Sequence, residues 1–183
     1  RGQVRDETLA LLRERGVATL IVTHDPEEAL AAADRVALLH GGRMVQTGSP
    51  LELYFQPVNA LAAEFFGTIN RLRGVAKNGA VPSPFGPLPA GGLADGQAAD
   101  ILIRPEALKL RAPGMAGADV QARVKTVRIL GPGAMVELAL LDGGGAGLKV
   151  HVSSRHLPST GAAVGVGLDA GGAFVFPAAA SGV

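Results

Sequence analysis

The sequence contains no cysteine, no tryptophan and a single tyrosine among its 183 residues. The absence of cysteine excludes disulfides, thiolate zinc sites, iron–sulfur clusters and cysteine nucleophiles. Aromatic residues make up only 4% of the chain, so a hydrophobic core has to be built mainly from aliphatic side chains. Glycine and proline are frequent instead, with 26 and 12 residues, and they predict many turns between short elements.

A large excess of charge and a long hydrophobic run are also missing. The 17 basic and 16 acidic residues give a net charge of +1, which argues against a chain built to coat nucleic acid or an acidic membrane. No charge-free apolar run approaches the roughly 20 residues of a transmembrane helix. The first residues are not those of a signal peptide. With 48% hydrophobic and 18% charged residues, the composition is that of a folded protein.

The first 67 residues have the alternating pattern of an α/β protein. Helical spacing of apolar residues predicts a helix over 4–15, and Gly16 is suited to end it. The β-branched run over 18–23 predicts a short buried strand. The sequence then predicts a hairpin with a Gly-Gly turn and two short helices, over 35–40, 43–48, 49–55 and 59–66.

His24 directly follows the predicted strand and precedes a helix start. Asp25 can cap that helix, Pro26 suits its first position and Glu28 completes a capping box, so we expect a helix to about residue 34. A polar residue between a strand and a helix N-terminus lies where α/β proteins bind ligands, and such a terminus favours phosphate. The residues alone leave two roles open for His24, a phosphate contact or a structural cap.

A distinctive series of short segments extends from residue 22 to residue 67. These are Val22-Thr23-His24-Asp25, Glu27-Glu28-Ala29, Ala33-Asp34-Arg35-Val36, Gly42-Arg43, Gly48-Ser49-Pro50, Glu52-Leu53-Tyr54 and Phe65-Phe66-Gly67. The series strongly resembles the carboxyl-terminal part of the ATPase subunit of ABC transporters. That resemblance implies that His24 is the switch (H-loop) histidine, which contacts the γ-phosphate of ATP and helps to hold the attacking water. It also implies that residues 1–15 form the helix after the Walker B strand and D-loop.

From residue 68 onward, glycine and proline separate short strand-like stretches. They lie at 70–76, 99–105, 118–130, 134–141, 147–152, 164–169 and 173–177. Such strands predict a small β-barrel or sandwich, and the proline-rich segment 82–99 is expected to be a long surface loop. The net charge changes from −3 over residues 1–67 to +4 over 68–183, and we place a domain boundary between Gly67 and Thr68.

Ile103-Arg104-Pro105-Glu106 and the ending 166–177 resemble the TOBE domain, which follows the nucleotide-binding domain in importers of ferric iron, sulfate, polyamines or maltose. The resemblance implies an α/β carboxyl-terminal remnant of a P-loop nucleotide-binding domain over 1–67. An all-β, OB-like regulatory TOBE domain follows over 68–183. Segment 84–110 is most similar to that of ferric-iron importers, which implies ferric iron as the solute.

The motifs that bind and hydrolyse ATP are missing from the chain. There is no Walker A sequence, no LSGGQ signature and no Walker B aspartate with its catalytic glutamate. Segment 142–149 is superficially similar to Walker A, but Lys149 does not directly follow the glycine, and we interpret it as a hairpin turn. We therefore expect a fragment that alone neither binds ATP tightly nor hydrolyses it. The parent protein would be a transport ATPase that uses ATP and Mg²⁺.

The same resemblance implies the partners and the location of the parent protein. They are a homodimer of ATPase subunits, two transmembrane permease subunits and, indirectly, a periplasmic substrate-binding protein, without nucleic acid. The subunit would lie at the cytoplasmic face of a bacterial inner membrane, where ATP binding and hydrolysis drive solute uptake.

Other histidines are weaker candidates for a site. His40 precedes the Gly-Gly turn and is expected to be a solvent-exposed turn residue. His151 and His156 flank a short polar segment, where a metal or oxyanion site is an alternative to a plain surface. No carboxylate lies nearby in the sequence, so we favour the surface and expect no metal site.

Basic residues on one predicted strand leave further functions open. Arg123 and Lys125 alternate with Val124 and so share a strand face, with Arg128 beyond them. We interpret this as a solvated face, with binding of single-stranded nucleic acid as the alternative. A further alternative for the whole chain is a stand-alone β module that binds a small oxyanion or metal without any ATPase role.

Overall fold

The computed structural model describes residues 2–141, 147–154 and 157–179, and only the backbone of residues 2–6. The chain divides into two compact units, Arg1–Gly67 and Thr68–Val183, so the division falls where the net charge of the sequence changes sign. We describe each unit by itself.

The first unit combines four helices with one hairpin. Its elements are α1 (Gly2–Glu14), α2 (Pro26–Ala32), β1 (Val36–His40), β2 (Arg43–Gly48), α3 (Pro50–Phe55) and α4 (Ala60–Phe65). Helix α1 ends as predicted, since Gly16 has a φ of +66° and its N–H donates to the carbonyl of Arg13. The hairpin and the two short helices are confirmed, and both turn glycines have positive φ.

A small core holds these elements together. Leu38 of β1, Leu53 of α3, and Ala62 and Phe66 around α4 are buried against one another. Helix α3 begins with a complete capping box, in which the side chains of Ser49 and Glu52 each accept from the other's backbone N–H.

The predicted strand over 18–23 is wrong for this chain. These residues have no regular secondary structure, and no strand in the described part of the chain pairs with them. Leu20 is 90% exposed and Val22 is 91% exposed. An apolar run becomes a buried strand only where neighbouring strands and a covering layer are available, and neither is present here. The P-loop character expected of residues 1–67 is therefore not visible in the fold of this unit.

The second unit is almost entirely β. Its strands are β3 (Asn70–Val75), β4 (Ala80–Val81), β5 (Leu88–Pro89), β6 (Ala98–Ile103), β7 (Leu108–Arg111), β8 (Val120–Leu130), β9 (Gly133–Leu140), β10 (Gly147–Ser153), β11 (Ala163–Leu168) and β12 (Ala173–Pro177). A five-stranded sheet has the order β10-β9-β8-β11-β7, a three-stranded sheet has the order β12-β6-β3, and β4 pairs with β5. All of these pairs are antiparallel.

Both sheets and the small hairpin bury their apolar side chains in one shared core. Its fully buried members include Val81, Ile101, Ile103, Val124, Leu138, Val150 and Val166. Alternate residues of β9 face this core, as expected for a sheet with one buried face. The small all-β unit that the sequence predicts is therefore confirmed.

Segment 82–99 is not the plain surface loop that the sequence predicts. It contains β5 and the start of β6, and its residues Leu88 and Ala90 are buried in the shared core. A two-residue strand is too short to show an alternating pattern, and the prolines hide it further. Strand β7 is missed because it follows directly on a 3-10 turn at Pro105–Ala107.

Candidate functional site

His24 lies at a bend between segment 17–23, which has no regular secondary structure, and helix α2, and its side chain is exposed. The Asp25 carboxylate accepts from the N–H groups of Glu27 and Glu28, at 2.9 and 3.1 Å, which confirms the predicted N-cap. An exposed imidazole at such a bend can donate a hydrogen bond to a phosphate oxygen brought by a ligand.

Side-chain hydrogen bonds surround the bend on both sides of His24. The hydroxyl of Thr23 accepts from the N–H of Asp25 at 3.0 Å. The same hydroxyl donates to the carboxylate of Glu28. The predicted capping box is wrong, because the N–H of Asp25 donates to Thr23 and not to Glu28. The sequence analysis assigned no role to Thr23. The Thr-x-Asp-x-x-Glu spacing is the signal that could have indicated the bridge.

Helix α2 is also fixed at its other end. Nη2 of Arg13 in α1 donates to the carbonyl of Ala32 at 2.7 Å and to Asp34 Oδ1 at 3.1 Å. The first bond satisfies a carbonyl that the helix end leaves without an intrahelical partner. The ion pair itself is exposed and contributes little stability.

The other predicted site residues do not converge on His24. His40 is exposed at the end of β1, next to the turn, as expected. Within the described ranges, no group of three or more histidine and carboxylate side chains could hold a metal ion.

In the second unit, Arg104-Pro105-Glu106 has a structural role. Arg104 is 1% exposed, and its guanidinium carbon lies 5.8 Å from the ring centroid of Phe174. The backbone N–H of Arg104 donates to the carbonyl of Gly172 at 2.9 Å, and Pro105 is the first residue of the 3-10 turn. This motif therefore joins β6 to the segment before β12.

The basic residues of β8 lie on its outer face. The register shifts between Val124 and Thr126, so a bulge at Lys125 brings Arg128 onto the same face as Arg123. Nη1 of Arg123 donates to the carbonyl of Gly161 at 2.8 Å, and all three basic residues are exposed. The face is solvated, as expected.

A shallow concavity of about 250 Å³ is lined by residues of β8, β9 and β10, and a second one, of about 310 Å³, is lined by residues of β3, β9 and β10. They share Glu137 and Lys149, and Glu137 accepts from the hydroxyl of Thr126 at 3.1 Å. His151 is exposed on β10, and its imidazole occupies the space beside Gly133 where a Cβ would lie. His156 and most of segment 142–149 lie outside the described residues.

Comparison with known proteins assigns the chain to a family. The TOBE domain matches residues 101–176. A sulfate/thiosulfate import ATP-binding protein, CysA of Bordetella parapertussis, is 40% identical over 149 residues, which are 76% of this chain and 41% of that protein. An Fe(3+) ions import ATP-binding protein, FbpC of Streptomyces coelicolor, is 33% identical over 91% of this chain and 48% of that protein. The chain belongs to the family of ABC import ATP-binding subunits.

Another relative is also named as an import ATP-binding protein, but for a different solute. An sn-glycerol-3-phosphate import ATP-binding protein, UgpC of Brucella abortus, is 33% identical over 85% of this chain and 44% of that protein. The chain thus spans less than half the length of these import ATP-binding subunits. In the described part of this family member, no helix is both long enough and apolar enough to cross a membrane.

A solved structure is also similar to this chain. The cytoplasmic molybdate-binding protein ModG matches 58% of this chain and 94% of that chain, with 19% identity and a TM-score of 0.48.

Proposed function

We propose that this chain is the carboxyl-terminal part of the ATPase subunit of an ABC importer. Residues 1–67 would complete its nucleotide-binding domain, and residues 68–183 would form its TOBE-type regulatory domain. The observation that carries the proposal is the reach of the similarity. The match to the FbpC relative covers 91% of the chain, which is more than the second unit alone can supply.

The exposed run 18–23 supports the same proposal. Its composition is that of a strand buried on both faces, yet Leu20 and Val22 are almost fully exposed. A subunit about twice as long as this chain has room for the strands and helices that would cover this run. In the intact subunit, residues 18–23 would be an internal strand ending at His24.

In this mechanism, His24 is the residue of the chain that contacts the nucleotide. Its imidazole would donate a hydrogen bond to a γ-phosphate oxygen of ATP and help to orient the attacking water. Binding and hydrolysis of ATP would supply the energy of transport, and Mg²⁺, held with the nucleotide by the rest of the subunit, would neutralise the charge of the phosphates. The isolated chain is expected to bind neither tightly, because the phosphate loop and the magnesium ligands are not in its sequence.

The proposed subunit works as one component of an assembly. Two ATPase subunits would pair and act on two membrane-embedded permease subunits, which receive solute from a periplasmic substrate-binding protein. The subunit would lie at the cytoplasmic face of a bacterial inner membrane. The TOBE-type unit would contribute to pairing of the ATPase subunits and to regulation.

The relatives favour sulfate over ferric iron as the solute. Identity is 40% to the sulfate/thiosulfate subunit and 33% to the iron subunit, so we place sulfate ahead of the ferric iron that segment 84–110 suggested. Uptake of labelled sulfate and labelled iron by cells with and without this gene tests that order. Loss of iron uptake with intact sulfate uptake would reverse it.

Mutation of His24 tests the proposed activity. In the complete polypeptide that carries this chain, His24→Ala should lower kcat for ATP hydrolysis by about 100-fold. That is the typical effect of removing one hydrogen-bond donor that stabilises charge in the transition state. His40→Ala is the matched control, because His40 is also exposed in the first unit and should leave kcat unchanged. Full activity of the His24→Ala protein would refute the assignment.

A further inference from the structure

The hydroxyl of Thr23 connects three parts of the bend around His24. It accepts from the N–H of Asp25 at 3.0 Å, and it donates to the carboxylate of Glu28 one turn into helix α2. Both Thr23 and Glu28 are partly buried, while His24 between Thr23 and Asp25 is exposed. The chain therefore closes a small hydrogen-bonded ring directly behind the histidine.

Capping of the helix does not account for the bonds of Thr23. Asp25 already accepts from the backbone N–H groups of Glu27 and Glu28, which have no partner within the first turn of α2, so these groups do not need Thr23. Thr23 instead bonds to the N–H of Asp25, which precedes the helix. What this bond fixes is the path of the backbone through His24.

No sheet contributes to this path. Residues 17–23 have no ladder partner in the part of the chain that the structure describes, and yet the ring is formed. The bend is thus encoded by the local sequence Thr-His-Asp-Pro-Glu-Glu. A ring that forms without its sheet can hold His24 in one direction before any ligand arrives.

We propose that Thr23 is a positioning residue for His24, and that the bridge from Asp25 through Thr23 to Glu28 sets the direction in which the imidazole is presented to a phosphate. This inference rests on the proposed function of His24. Thr23 itself touches no ligand in this account. Its hydrogen bonds restrict the backbone at His24 to fewer conformations, so that the conformation in which the imidazole faces the phosphate is populated more often.

The first test uses the 183-residue chain and does not involve ATP. Amide exchange of Asp25, followed by NMR, should be about tenfold faster in Thr23→Val, which keeps the side-chain shape and loses the hydroxyl. Thr23→Ser should restore the slow exchange. Thr19→Val is the control, since the Thr19 hydroxyl bonds only to the carbonyl of Val17 and should leave Asp25 unaffected. Unchanged exchange in Thr23→Val would overturn the inference.

The second test uses the complete subunit. Thr23→Val should lower kcat by about tenfold with an unchanged KM for ATP, because a misdirected His24 weakens the transition state more than ground-state binding. Thr23→Ser should recover kcat. Glu28→Gln, which keeps the size of the side chain and weakens the acceptor, should give a smaller loss in the same direction.

The outcomes separate the two proposals. If His24→Ala loses activity and Thr23→Val does not, the positioning role is wrong and the proposed function stands. If His24→Ala keeps its activity, the proposed function is wrong. A loss in Thr23→Val would in that case also contradict a role that acts through His24.

Discussion

Replacement of Asn70, one of the buried polar residues of the second unit, should weaken that unit strongly. Asn70 is 4% exposed at the start of β3. Its Nδ2 donates to the carbonyl of Lys149 at 2.8 Å and to that of Ile103 at 3.3 Å, and its Oδ1 accepts from the N–H of Lys149 at 2.6 Å. The side chain of Asn70 thus bonds to β6, its neighbour in the three-stranded sheet, and to the backbone of β10, the edge strand of the five-stranded sheet.

The size of the effect follows from the three bonds. Asn70→Leu keeps the branching and the number of side-chain heavy atoms, but it removes the side-chain partner of one N–H and two carbonyl groups. At a net value of about 1 kcal/mol for each bond, the unit should lose about 3 kcal/mol of its free energy of unfolding. For a domain of this size that loss corresponds to a fall in melting temperature of roughly 10 °C.

The assay must separate the two units. Thermal unfolding followed by circular dichroism gives the midpoint, and amide hydrogen exchange of β10 locates the loss. The only tyrosine, Tyr54, lies in the first unit, so its fluorescence should not report the change. Asn78→Gly is the control, because Asn78 is exposed at a φ of +53° that glycine adopts easily. A shift below 2 °C, taken as roughly half a kcal/mol, would refute the reasoning.

Three further predictions concern Gly167, Glu52 and the backbone amides of residues 18–23. Gly167→Ala should destabilise the second unit strongly, because a Cβ there would overlap a backbone carbonyl oxygen of the loop before β8, and thermal unfolding of this variant checks it. Hydrogen bonds from the backbone N–H and the hydroxyl of Ser49 lower the pKa of Glu52 below 4.5. The capping box therefore stabilises α3 above pH 4.5, and this stabilisation is lost as the pH falls through the lowered pKa. NMR titration of the wild type and of Glu52→Gln tests this. Amides of 18–23 should exchange within seconds in the isolated chain, since no ladder protects them.

Local signals in the sequence were enough for most of the first unit. Glycine at the end of α1, the Gly-Gly turn and the Ser49–Glu52 box each act within a few residues, so the residues themselves predict the element. The run 18–23 shows the limit of this reasoning. Its pattern is that of a strand, but a strand also needs a neighbour, and no local pattern can supply one.

The second unit was predictable at the level of strands and not at the level of their contacts. Asn70 is separated by 79 residues from Lys149, and nothing in its own neighbourhood indicates that it bridges two sheets. The bulge at Lys125 likewise changes which residues of β8 share a face, and alternation alone did not indicate that Arg128 shares the face of Arg123. The Arg104-Pro105-Glu106 motif was recognised only through its resemblance to the TOBE domain, and the position of Arg104 over the ring of Phe174 could not be foreseen from spacing.

The coding sequence upstream of Arg1 tests the central claim most directly. If the chain is the carboxyl-terminal part of an importer ATPase, the same reading frame should contain a Walker A motif, an LSGGQ signature and an Asp-Glu pair shortly before Arg1. A start codon at that position, with none of these motifs in frame, would contradict the account, because His24 would then have no nucleotide to contact.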